Sequence, residues 1–295
     1  MEASILIVSY NRKEHLNFTL SILEDYIDYS KHEIKVFLDG CNDNSIELKE
    51  VFPKVDWNIS STRLGASRAR NVLYNSAKGN ILIGLDDDAH PLQKDFIERV
   101  IKEFNKDSKI GIIAFQEIKG VFINDQEVLR SKPSELKHYL CKEFYGCGFA
   151  IKRDSYKATR GFPVWVDIYG EEACVAIEVL SNNESILYTN EISVNHRVDT
   201  EARKKAKKNY YRFKKQLKNS FNFYLVYYKN PVKSILRLLY HNFTKYAIKD
   251  LNFFMNFFKA IFESIIMFPK TLKYRKPVSK EVIKRRIELP PPVFN

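Results

Sequence analysis

Residues Ile81 to Pro91 read Ile-Leu-Ile-Gly-Leu-Asp-Asp-Asp-Ala-His-Pro, a short apolar run that empties into three consecutive aspartates. The run has the length of a buried strand. Carboxylates crowded at its end repel one another, and a hard divalent cation such as Mg²⁺ or Mn²⁺, which takes oxygen ligands, offsets that repulsion. The competing reading is an acidic turn that water solvates. Side chains alternate along a strand, so Asp86 and Asp88 share a direction that Asp87 does not. The flanking chain decides between the two readings.

Upstream, the β-rich run Ser4 to Val8 closes in Ser9-Tyr10-Asn11-Arg12, and Ile34 to Leu38 closes in Asp39-Gly40-Cys41-Asn42-Asp43. Trp57 to Ser60 precedes Arg63-Leu64-Gly65-Ala66-Ser67-Arg68-Ala69-Arg70-Asn71. Leu16, Leu20, Leu23 and Ile27 keep helical spacing, and 46–52 and 63–77 also read as helix. Downstream, His90-Pro91 closes the strand and starts a helix over 92–104, with Pro91 in its first turn. Strands are expected at 110–115 and 187–194, the second delivering Asn195-His196-Arg197. This alternation predicts an α/β fold with a mostly parallel central sheet and helices on both faces. Ligands then bind beyond the carboxyl ends of the strands, where the polar clusters lie.

The four clusters in order, ending in Leu85-Asp86-Asp87-Asp88, resemble the donor-binding half of family-2 glycosyltransferases, nucleotide-diphospho-sugar transferases with the GT-A fold. The resemblance runs over residues 3–200. It implies that Ser9, Tyr10 and Arg12 line the base and diphosphate of a nucleotide-sugar, and that Asp39 accepts hydrogen bonds from base or ribose. It places Asp86 near ribose or metal-bound water, Asp87 in support, and Asp88 on a metal, with His196 joining the metal site. One of Arg68 and Arg70 faces the site, and Arg68 is placed in the donor set. Tyr145-Gly146-Cys147-Gly148 resembles the family's glycine-bearing strand near the sugar, and Arg160-Gly161-Phe162 the turn that follows. Glu171-Glu172 resembles its acidic pair at a helix start, which implies Glu172 as the general base of an inverting transfer to a glycan or lipid-linked acceptor. The family more often has aspartate at Glu172 and arginine at Glu178. Acidic residues also favour helix N-termini through the helix dipole alone.

The charge is divided along the chain. The net charge is +12, yet 201–295 holds 23 basic and 5 acidic residues, against 25 and 31 in the first 200. This predicts a catalytic domain over 1–200 and a basic, aromatic-rich helical extension over 201–295. The extension opens on Arg203-Lys204-Lys205-Ala206-Lys207-Lys208. In 251–268, Leu251, Phe254, Met255, Phe258, Ile261, Phe262 and Ile265 share one helical face. Such a helix suits an anionic membrane surface, or packs on the core instead. Nucleic acid is the weaker partner, because no binding module accompanies the charge. Lys259 and Glu263 interrupt the richest apolar stretch, so no membrane span is expected, and 270–295 reads as an extended end. The start lacks the features of a signal peptide, and Cys41, Cys141, Cys147 and Cys174 show no metal-binding spacing. The expectation is a cytoplasmic protein with reduced thiols at the inner face of the membrane. The rival functions are a sugar-phosphate nucleotidyltransferase, whose glycine-rich loop after the first strand is missing here, and a non-catalytic GT-A-like scaffold.

Overall fold

The computed structural model describes residues 1–131, 135–199 and 208–293. The basic run at 203–207 lies outside the described residues. Among them, the strands are β1 (Ala3–Ser9), β2 (His32–Asp39), β3 (Asp56–Ser60), β4 (Ile81–Asp86), β5 (Ala89–Pro91), β6 (Ile110–Lys119), β7 (His138–Cys141), β8 (Gly148–Lys152) and β9 (Ser185–His196). They form one sheet in the order β3-β2-β1-β4-β8-β6-β9-β5, with β7 also on β9.

The half that carries the first clusters is parallel, as the alternation predicts: β1 lies between β2 and β4, and β3 flanks β2. Beyond it the sheet is mixed. β8 runs antiparallel to β4 and β6, and β5 and β7 run antiparallel to β9.

Helices cover both faces. Leu16, Leu20 and Leu23 of helix Lys13–Tyr26, with Ile97 and Val100 of helix Phe96–Lys106, bury Ile5, Ile7 and Ile83. On the other face, Leu73 and Tyr74 of helix Ala66–Ser76, with Val175 and Val179 of helix Glu171–Ser181, bury Leu6, Leu82 and Phe149. Pro91 does not open a helix. His90 and Pro91 belong to β5, and the helix begins only at Phe96. Pairing with Val194 and Asn195 of β9 fixes these residues as extended.

The extension packs on this core. Helix Tyr210–Tyr227 lays Phe223, Val226 and Tyr227 against Trp165, Val166, Cys174 and Ile177. Helix Leu251–Leu272 packs Phe257 and Ala260 against Phe213 and Leu217. Its predicted apolar face points the other way: Leu251, Met255, Phe258, Phe262 and Ile265 are exposed. The helix is apolar on both sides; it is 22 residues long and its most apolar 18-residue stretch has a mean hydropathy of 1.4, which by length and composition alone is enough to cross a membrane. Of the two charges within that stretch, Glu263 pairs with Lys214 at 2.5 Å. The end of the chain is also more ordered than expected. Lys280–Glu288 is a helix, and the carbonyls of Pro290 and Pro291 accept from the Lys142 amide and the Tyr139 hydroxyl.

Candidate active site

A cleft of about 540 Å³ opens where β1, β2 and β4 end, and Tyr10, Arg12, Asp39, Asp86 and Glu172 line it. Two clusters of charge face each other across it.

Arg12, Asp87, Asp88 and His196 form the first. Asp87 accepts from the Ser9 hydroxyl and from Arg12 Nη1, each at 2.8 Å. Burial pushes its carboxyl up to about 7, against the pull of Arg12. Asp88 lies 2.8 Å from Arg12 Nη2 and 3.2 Å from His196 Nε2. Burial alone would raise its pKa, but His196 and Arg12 outweigh it and hold Asp88 below the usual carboxylate range. Glu117 accepts from His196 Nδ1 at 2.5 Å and so fixes the ring with Nε2 toward Asp88. Ligand atoms of Asp86, Asp88 and His196 lie within 4.8 Å of one another. Both Asp88 oxygens are buried without a well-aligned hydrogen bond among the described residues. Two carboxylates and an imidazole, one carboxylate left this way, fit a divalent cation.

The second cluster centres on Arg70, which is buried. Its Nη2 meets Asp86 at 2.7 Å, and its Nη1 meets Glu171 at 3.0 Å and Glu172 at 3.3 Å. Glu171 is sealed, whereas the Glu172 side chain keeps 21% of its surface open to the cleft. Burial raises the pKa of both glutamates; their mutual repulsion adds to the rise in Glu171, and Arg70 opposes it in both. A Cβ on Gly146 would come within 2.4 Å of Arg70 and 2.8 Å of Glu172, so the glycine is what lets the turn before β8 pass this close.

Several residues have other neighbours than the sequence reading gave them. Ser9 is buried and spends its hydroxyl on Asp87 rather than lining the cleft. Asp39 reaches the cleft, but its two oxygens accept from the amides of Leu64 and Gly65 at 2.6 and 2.9 Å, which fixes the third loop. Tyr10 lies under the Arg63 guanidinium, 3.9 Å from the ring centroid. Arg68 turns away from the cleft, its Nε donating to the Val164 carbonyl at 2.7 Å, and Arg70 enters instead. The helical phase holds that answer, because Arg70 follows Ala66 by one turn and precedes Leu73, on the buried side. Glu117 escaped notice because its strand was expected to end at Phe115; β6 continues to Lys119 after a register shift against β9.

The extension also reaches the site. Asn219 Nδ2 donates to the carbonyls of Ile168 and Tyr169 at 2.8 and 2.9 Å, and Lys215 pairs with Asp167. These contacts hold the turn before Glu171, where Tyr169 and Gly170 both adopt positive φ.

Known structures share the architecture. The chain superposes on the mannosyltransferase PcManGT from Pyrobaculum calidifontis, in complex with GDP-Man and Mn²⁺, with a TM-score of 0.58, 15% identity, and coverage of 97% of this chain and 83% of that one. It superposes on S. aureus TarS 1-349 in complex with UDP-GlcNAc with a TM-score of 0.60, 15% identity, and coverage of 90% and 81%. The fold is thus GT-A. The profile of the family described as Glycosyl transferase family 2 matches residues 4–160, more than half of the chain, and the protein belongs to that family. Among curated proteins, the uncharacterized glycosyltransferase YfnE of Bacillus subtilis (strain 168) is 31% identical over 117 residues, which span 38% of this chain but only 29% of YfnE. An uncharacterized protein of Haemophilus influenzae is 29% identical over 175 residues, 54% of this chain and 92% of its own length.

Proposed function

We propose that the protein is an inverting, metal-dependent glycosyltransferase that moves a sugar from a nucleotide-diphosphate donor to a hydroxyl of a glycan or lipid-linked acceptor. The observation that carries this reading is that Glu172, partly open to the cleft, shares it with Asp86, whose ligand atoms lie within 4.8 Å of those of Asp88 and His196. Glu172 takes the proton of the acceptor hydroxyl as its oxygen bonds to the anomeric carbon. The bond from that carbon to the diphosphate breaks, and the electron pair leaves with the phosphate oxygen. Arg12 faces the side on which that negative charge develops, and Tyr10 offers a ring for the base. Asp86, Asp88 and His196 would hold the Mg²⁺ or Mn²⁺, which supplies charge neutralisation at the diphosphate.

Glu172→Gln is expected to bind donor by calorimetry with wild-type affinity and to lose transfer by about 100-fold or more. Asp88→Ala should lose metal-dependent donor turnover; full turnover in that variant would remove the aspartate cluster from the site.

The division into a catalytic domain over 1–200 and an extension over 201–295 belongs to the same proposal, as does a position at the inner face of the cell membrane. The exposed apolar side of helix Leu251–Leu272 and the cations Lys245, Lys249, Lys270 and Lys273 near its ends support a peripheral seat on anionic lipid. The protein should float with vesicles containing phosphatidylglycerol, and less at high salt. Absence of binding to vesicles of any charge would refute the seat.

A further inference from the structure

A second cavity, of about 500 Å³, adjoins the cleft at Tyr169 and Gly170, in the turn just before Glu171. It shares Tyr169, Gly170, Arg212 and Gln216 with the cleft, so the two form one groove. Its walls come from the extension: Phe213 and Ser220 on helix Tyr210–Tyr227, Asn242 on helix Val232–Lys245, then Tyr246 and Phe253. All of these lie outside the residues 4–160 that the family profile matches.

The lining has a distinct chemistry. Among the described residues, Arg212 is the one charged side chain along it, and its guanidinium lies 5.1 Å from the Tyr169 ring centroid. The other polar side chains are the amides of Asn209, Gln216 and Asn242, the Ser220 hydroxyl and two tyrosines. The side chains of Gln216 and Ser220 make no hydrogen bond within the described chain. Neutral amides pair with hydroxyls, which both donate and accept, and aromatic faces cover the C–H side of a ring. A phosphate would call for several cations, and the described lining offers one arginine.

We propose that this cavity is the acceptor subsite, and that its ligand is a neutral saccharide whose free hydroxyl reaches Glu172 through the shared mouth. The inference rests on the glycosyltransferase reading above and adds the acceptor class to it. Ser220 and Asn242 line the cavity but not the cleft, so they separate acceptor binding from donor chemistry.

The test uses the full chain. A panel of nucleotide-sugars first identifies the donor by its slow hydrolysis without acceptor. Neutral di- and trisaccharides are then assayed for transfer, and for binding by saturation-transfer NMR with nucleoside diphosphate and Mn²⁺ present. Ser220→Trp, which fills the cavity, should abolish transfer and saccharide binding while donor hydrolysis stays at the wild-type rate. Asn242→Ala, which leaves the packing nearly intact, should raise the acceptor KM about tenfold with kcat unchanged. Unaltered acceptor KM in Asn242→Ala together with wild-type transfer by a folded Ser220→Trp would overturn the subsite and leave the donor reading standing. So would failure of every neutral saccharide to bind. Absence of any donor hydrolysis would overturn both.

Discussion

Arg70 holds three carboxylates from two distant parts of the chain, and the cost of removing it follows from its burial. Arg70→Met leaves Asp86, Glu171 and Glu172 facing one another without a counter-charge. Denaturant unfolding is expected to show a loss of about 3–5 kcal/mol. The same substitution bears on the proposed base. Burial already holds the Glu172 pKa above its ordinary 4.5, and Arg70 is what opposes the rise. A base works deprotonated, so kcat/KM should fall as pH drops through a value above 4.5 in the wild type. In Arg70→Lys, whose single ammonium cannot serve three carboxylates, that limb should move to still higher pH. A limb unmoved by Arg70→Lys would detach it from Glu172.

At the scale of elements, helix Glu171–Ser181 explains the glutamate found where the resembling family often has arginine. Glu178 accepts from Arg160 Nε at 2.8 Å and from the Tyr227 hydroxyl at 2.7 Å, and pairs with Lys276 at 3.2 Å. It ties the core to the extension. Its burial would raise its pKa, but Arg160 and Tyr227 outweigh that and hold it below 4.5 in the folded protein. A depressed carboxylate stabilises the fold above its unfolded pKa, and that contribution fades as pH falls through the folded value. Glu178→Gln should therefore cost about 2 kcal/mol near neutral pH, and the gap between variant and wild type should close on acidification below 4.5. The parallel half of the sheet and the aspartates were legible because strand, turn and helix signals there are local. The antiparallel β8, the partner of Pro91 and the outward face of helix Leu251–Leu272 were not, since each depends on which distant element lies alongside. Which of Arg68 and Arg70 enters the cleft is a matter of helical phase, which puts Arg70 on the buried side and turns Arg68 to the Val164 carbonyl.

For the whole molecule, the core and extension share buried surface, so the proposed boundary at 200 does not divide folding units. Trp165, Val166 and Ile177 are covered by Phe223, Val226 and Tyr227, and a chain cut before Tyr210 would expose them. Such a truncation is expected to aggregate, read as loss of monomer in size-exclusion chromatography. The Asn219 amide, on the two carbonyls that precede Glu171, gives the union a further meaning. The sheet has its own core on both faces, while the turn that aims Glu172 depends on a helix outside it. Cooperative units open in order of their local stability. On warming, catalysis should fail before the sheet melts: activity lost at a temperature where strand circular dichroism is intact. Heat would then act on this protein first at one joint, the few contacts by which a single helix steadies the turn before Glu171.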